Sequence, residues 1–176
     1  MTSRPRLRKF ALAAHVISSV GWLGTVITVL ALAIAGATSE DPQTVRAAYL
    51  AMELTAWSVL VPLALASLTS GIVQSLGTKW GLLRHYWVLA KLVITVLATV
   101  VLLLYTRTLD HLAGVAARAA PSSEDLALLH TPSVVLHAGV ALLLLLVATA
   151  LAIYKPPGMT RYGWRKQLDR RAAPQA

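Results

Sequence analysis

The stretch from Phe10 to Thr38, FALAAHVISSVGWLGTVITVLALAIAGAT, contains no Asp, Glu, Lys or Arg, and its one ionisable side chain is His15. Roughly 20 apolar residues at 1.5 Å rise per residue cross a hydrocarbon layer of about 30 Å, so this run is long enough to span a membrane. Leu54 to Thr78, Leu92 to Thr106 and Thr131 to Tyr154 are equally clear of charge. Barrel strands alternate in polarity and are about half as long. In lipid every backbone polar group must be paired within its own segment, which leaves the helix. The sequence therefore predicts an all-α, single-domain, four-span up-down bundle. Its spans fall at about 9–37, 44–76, 83–112 and 124–155, followed by a basic tail over 156–176.

Composition agrees. Hydrophobic residues make up 57% and charged residues 13%, with a mean hydropathy of +0.67; a soluble domain carries about 25% charged residues. The chain has no cysteine, which excludes disulfides, thiolate-bound metal and covalently attached c-type haem. A net charge of +9 raises the question of nucleic acid, but the basic residues sit at helix ends, an arrangement that a membrane explains and a nucleic-acid groove does not. No Gly-rich phosphate loop, nucleophile elbow or intramembrane carboxylate pair is visible.

Charge also orients the spans. Arg4, Arg6, Arg8 and Lys9 precede the first; Lys79 and Arg84 lie between the second and third; Lys155, Arg161, Arg165, Lys166, Arg170 and Arg171 follow the fourth. The remaining two connections hold Arg46, Arg107 and Arg118. The positive-inside rule puts both termini in the cytoplasm. Ala35-Gly36-Ala37 resembles a signal-peptidase site, but the preceding apolar run is about twice a signal's h-region, so a retained helix is expected. Trp80, Tyr86, Trp87 and Trp164 suit an aromatic belt at the inner interface. Pro62 is expected to disturb the second span, and Pro132 to kink the fourth or open its embedded part. The tail beyond Gly158 is expected to be mobile.

Ionisable groups at membrane depth mark function by default. His15 shares a helix face with Ser18, Ser19 and Trp22. Lys91 lies at a similar depth from the same side, and two ligands on different helices at matching depth suit a clamped planar cofactor. Imidazole is a common haem axial ligand, and a lysine amine ligates iron when deprotonated. Arg84, Lys79, Tyr86 and Trp87 would stand near the haem propionates. Plainer readings stand beside these: a lysine near the interface can snorkel, and a lone histidine can bond a carbonyl or a serine. In the outer half His111, His130 and His137, with Met52, have the donors for copper or a second haem, although His111 and His130 flank a loop where solvated histidines are ordinary. Glu53 pairs with Arg46, caps a polar contact or relays protons. Small residues (Gly21, Gly24, Ala33, Gly36, Ala64, Ser67, Gly71) allow close helix approach within the bundle or in a homo-oligomer or partner complex.

Two motifs resemble a known group. Leu12-Ala13-Ala14-His15-Val16-Ile17-Ser18-Ser19-Val20-Gly21-Trp22-Leu23-Gly24, with tryptophan seven residues after histidine, resembles the first helix of a broad bacterial membrane group. That group includes copper-resistance protein D-like domains, a protoporphyrinogen oxidase family of the haem pathway and uncharacterised small integral membrane proteins. Trp87-Val88-Leu89-Ala90-Lys91-Leu92-Val93 resembles its third-helix signature. The resemblance implies b-type haem held by His15 and Lys91, in a plasma-membrane protein with an electron-transfer or oxidoreductase role. Thr25 to Ala37 lacks the arginine-bearing end of the oxidase pattern, a departure that weighs against protoporphyrinogen oxidation itself, and the copper-resistance proteins are longer than four helices. A non-enzymatic scaffold or accessory subunit, and copper or proton handling, remain the alternative functions.

Overall fold

The computed structural model describes residues 5–77, 81–118 and 122–172. These residues form α1 (Pro5–Thr38), α2 (Pro42–Thr55), a π turn (Ala56–Leu60), α3 (Val61–Gly77), α4 (Tyr86–Ala116), α5 (Ser123–Leu129), α6 (Ser133–Tyr154) and α7 (Arg161–Ala172). No strand occurs among them. Four helical stretches are long and apolar enough to cross a membrane: α1, α2 to α3, α4, and α5 to α6. Around the bundle, α1 packs on α2–α3 and on α6, and α4 packs on the same two neighbours. Consecutive spans are thus adjacent, as short loops require, and α1 and α4 stand diagonally opposed.

The core follows from helical spacing. Trp22, Val26, Val29 and Ala33 form one buried stripe on α1, each three or four residues from the last. Across from it, Gly36 lets α2 approach: a Cβ there would lie 3.2 Å from the Tyr49 ring. Tyr49 is fully buried, and its hydroxyl donates to the Leu129 carbonyl, tying α2 to α5. Outward-facing Ile17, Val20, Val100, Leu104, Leu143 and Val147 are exposed, the inverse of a soluble protein's surface and the expected face toward lipid.

The second span carries the main irregularity. One buried stripe runs Val45, Tyr49, Met52, Ala56, Leu60, Ala64 and Ser67, with Ala48 and Val61 buried beside it. From Met52 to Ala64 the step is four residues three times over, and a regular helix would rotate by about 120° across that stretch. The π turn takes up the surplus, with the Val61 N–H bonding the Ala56 carbonyl, so that Ser67 still faces inward. Pro62 follows immediately; its ring collides with the carbonyl four residues earlier in a regular helix, and the widened turn relieves that collision. The disturbance expected at Pro62 therefore takes the form of a π turn just before it.

Two connections end in helix caps. Asp41 caps α2 by accepting from the Gln43 and Thr44 N–H groups, with Pro42 in the first turn. Ser122 and Asp125 form a capping box that starts α5, but α5 and α6 are separate helices where one span was expected over about 124–155. Pro132 lacks an N–H and biases Thr131 away from helical geometry, so the chain turns at His130–Pro132. Pro121 lies outside the described residues, as do Arg4, Lys79 and Trp80.

The segment after Gly158 is not free, contrary to expectation. Met159 bridges His85, the Thr160 N–H donates to the Arg84 carbonyl at 3.0 Å, and the Thr160 hydroxyl donates to the Leu83 carbonyl at 2.6 Å. Gly163 then lies so close to Arg84 that a Cβ would meet its carbonyl oxygen at 2.5 Å. The glycine permits that approach, and α7 docks under the α3–α4 connection. Tyr86 and Trp164 are exposed at this end of the bundle.

Candidate functional site

His15 sits in a polar seam between α1 and α3. Gln74 donates from its side chain to the Ala11 carbonyl at 2.9 Å, and the Ser19 and Ser67 hydroxyls bond each other at 2.8 Å. Between these rungs, His15 Nδ1 lies 3.1 Å from both the Ser67 carbonyl oxygen and the Ser70 hydroxyl oxygen. The Ser70 hydroxyl itself donates to the Ala66 carbonyl, so its oxygen is an acceptor and Nδ1 carries the proton. That leaves Nε2 as the basic nitrogen, with no hydrogen-bond partner among the described residues. The ring rests on Gly71, where a Cβ would come within 3.0 Å of Cε1. A side chain at 71 would fill the space the imidazole occupies.

Lys91 lies on the inward face of α4, three residues after buried Val88 and seven before buried Ala98. It is half-buried, on the helix that stands diagonally opposite α1. His15 and Lys91, the two residues that the sequence singled out, thus stand on diagonally opposed helices, each partly buried. Trp22 is two turns beyond His15 on the same face and buried. Arg84 is in the connection before α4, with its backbone held by Thr160, and half-buried Trp87 lies one turn before Lys91. Ser67, Ser70 and Gly71 complete the seam. Their signal in the sequence is a polar and small cluster, Ser67-Leu68-Thr69-Ser70-Gly71, inside an otherwise apolar helix.

His15 has the donor chemistry of an iron-porphyrin ligand. Histidines that bind metal commonly donate their second ring N–H to a carbonyl, which fixes the tautomer and the ring's orientation. His15 has that partner in Ser67, and a second helix supplies an amine.

Among the described residues the outer histidines form no three-residue metal group: no three or more His, Cys, Asp or Glu side chains come together. His130 places Nδ1 2.7 Å from the Leu126 carbonyl and Nε2 3.0 Å from that of Ser39, so backbone engages both nitrogens. His111 is exposed on α4, while Met52 is fully enclosed in the core. His137 stacks on Tyr105, ring centroids 4.0 Å apart, and Nδ1 lies 2.8 Å from the Ser133 carbonyl. No ion pair joins Glu53 to Arg46 among the described residues.

A cavity of about 380 Å³ opens between α1, the π turn, α4 and α6, with Trp22 near one end and His137 at its mouth. Comparison of the chain with protein-family models, curated proteins and solved structures finds no match.

Proposed function

We propose that the chain is a multi-pass protein of the bacterial plasma membrane that binds b-type haem in the half of its bundle nearer the basic end, for electron transfer or an oxidoreductase reaction. Both termini would be cytoplasmic, because the basic residues gather at the end that carries them. His15 and Lys91 are the proposed axial ligands. The observation that carries the reading is the commitment of His15 Nδ1 to the Ser67 carbonyl, which leaves Nε2 as a free base in an apolar bundle. Bound haem would supply one-electron chemistry at a potential set by its ligands and burial. The chain's own contribution is positional: Ser67 and Ser70 hold the imidazole, Gly71 makes room for it, and Lys91 would contribute its amine from the opposite helix.

The test is an absorption spectrum of detergent-purified protein from haem-replete cells. A Soret band that disappears in His15→Ala and shifts in Lys91→Ala is the expected result. A colourless wild-type preparation would overturn the proposal.

A further inference from the structure

The cavity between α4 and α6 has a different chemistry from the His15 seam. Its wall is almost wholly apolar, built from residues such as Val26, Leu60, Ala98, Leu102 and Ala141. Its volume lies within the range of small-molecule sites, about 300–1,000 Å³. The rim is formed by Leu97, Val101, Leu136 and Val140, all exposed on the outer surface of the bundle. The entrance therefore faces the region where lipid lies, and a ligand would arrive sideways from the bilayer. The π turn contributes Ala56 and Leu60 to the wall; such turns occur often at functional sites.

One polar group at the mouth lacks a partner. The Tyr105 hydroxyl is engaged by Ser133 at 3.0 Å, and the Thr106 hydroxyl donates to the Leu103 carbonyl. The His137 ring is fixed by its stack on Tyr105, and Nδ1 donates to the Ser133 carbonyl. In that tautomer Nε2 is an acceptor, and no described residue donates to it. An acceptor held rigidly at the mouth of an apolar cavity selects for a hydroxyl donor with an apolar body.

We propose that this cavity binds a lipid-soluble alcohol or phenol, its hydroxyl donating to His137 Nε2 and its apolar body lying toward Trp22. The site is separate from His15 and Lys91, neither of which lines it, and it stands whether or not the chain holds haem.

Trp22 is a built-in reporter. The probe is a long-chain alcohol brominated at mid-chain, compared with its methyl ether, in detergent-solubilised full-length protein; the difference between wild type and Trp22→Phe isolates quenching at residue 22. The alcohol should half-quench at about a fivefold lower mole fraction than the ether, the worth of one neutral hydrogen bond. In His137→Leu the alcohol should fall to the ether's value while the ether is unchanged, and Ala141→Phe, which fills the cavity, should weaken both. Equal quenching by the two probes in wild type overturns the proposal without any variant. A preference that survives His137→Leu, or quenching indifferent to Ala141→Phe, overturns it as well.

Discussion

His15 Nδ1 and the carbonyl oxygen of Ser67 lie 3.1 Å apart across the contact between α1 and α3. The bond cannot be removed by changing the Ser67 side chain, because the acceptor is backbone. It can be disrupted from the other side of the ring. A leucine at Gly71 would occupy the space of the imidazole, whose Cε1 is only 3.0 Å from where a Cβ would stand. Gly71→Leu should therefore abolish the Soret band as fully as His15→Ala does, while far-UV circular dichroism stays helical. A normal Soret band in this variant would mean that the seated position of His15 is irrelevant to the cofactor.

Ser70 allows a gentler test of the same seam. Its hydroxyl oxygen is the second acceptor for Nδ1, and a single neutral hydrogen bond contributes about 1 kcal/mol. Ser70→Ala should retain haem, lower thermal stability by roughly that amount and broaden the Soret band as the ring loosens. Complete loss of haem would show that the Ser67 carbonyl alone does not hold the tautomer.

The four spans were legible because charge-free runs of that length have one structural solution in lipid. His15 stood out for the same reason, as the one ionisable side chain in its run. The π turn was not. Pro62 announces a disturbed hydrogen-bond ladder, but whether the helix bends, breaks or widens depends on which residues must face α1 afterwards, and that is settled by packing of Ser67 and Gly71. Pro132 left a similar choice, resolved as a break at His130–Pro132, where the proline biases Thr131 away from helical geometry. The docking of α7 was hidden for another reason. It rests on backbone contacts at Thr160 and Gly163, which leave no trace in hydropathy or charge. The scattering of the outer histidines also lies beyond sequence reading, since equal depth along different helices says nothing about facing direction.

The docking of α7 makes a sharp prediction at Gly163. A Cβ 2.5 Å from the Arg84 carbonyl oxygen meets backbone, which cannot swing aside as a side chain would. Gly163→Ala should release α7 from the α3–α4 connection without disturbing the spans. Trypsin should then cut at Arg161 and Arg165 several-fold faster in detergent, with the core fragment unchanged. Thr160→Val should act in the same direction, because it removes the hydroxyl that bonds the Leu83 carbonyl and accepts from the Gly163 N–H. Cleavage at the wild-type rate in both variants would contradict the docked arrangement.

Tyr49 gives a stability prediction at the opposite end of the bundle. The side chain has no exposed surface, and its hydroxyl donates to the Leu129 carbonyl. Tyr49→Phe keeps the ring against Gly36 but leaves that carbonyl unsatisfied, at a cost of about 1–3 kcal/mol. Tyr49→Ala also opens a cavity, for about 3–5 kcal/mol by analogy with other large aromatic truncations. Thermal unfolding in detergent should rank wild type above Phe above Ala. Amide exchange should rise first in α5, which the bond ties to α2.

Acid should loosen the same end through Asp41. Its carboxylate accepts from the Thr44 hydroxyl and from the Gln43 and Thr44 N–H groups. These bonds, the hydroxyl's first, hold its pKa below the ordinary 3.8. A carboxyl whose folded pKa is depressed adds stability that is complete above the unfolded value and fades as pH falls through the folded one. The contribution should therefore be intact above about pH 4, the ordinary carboxylate range, and disappear below it. Asp41→Asn keeps an N-cap acceptor but cannot titrate. Its melting temperature should start below wild type at neutral pH, and the gap should close on acidification. A gap that stays constant from neutral pH to below pH 3 would show that the charge at residue 41 does not hold the start of α2.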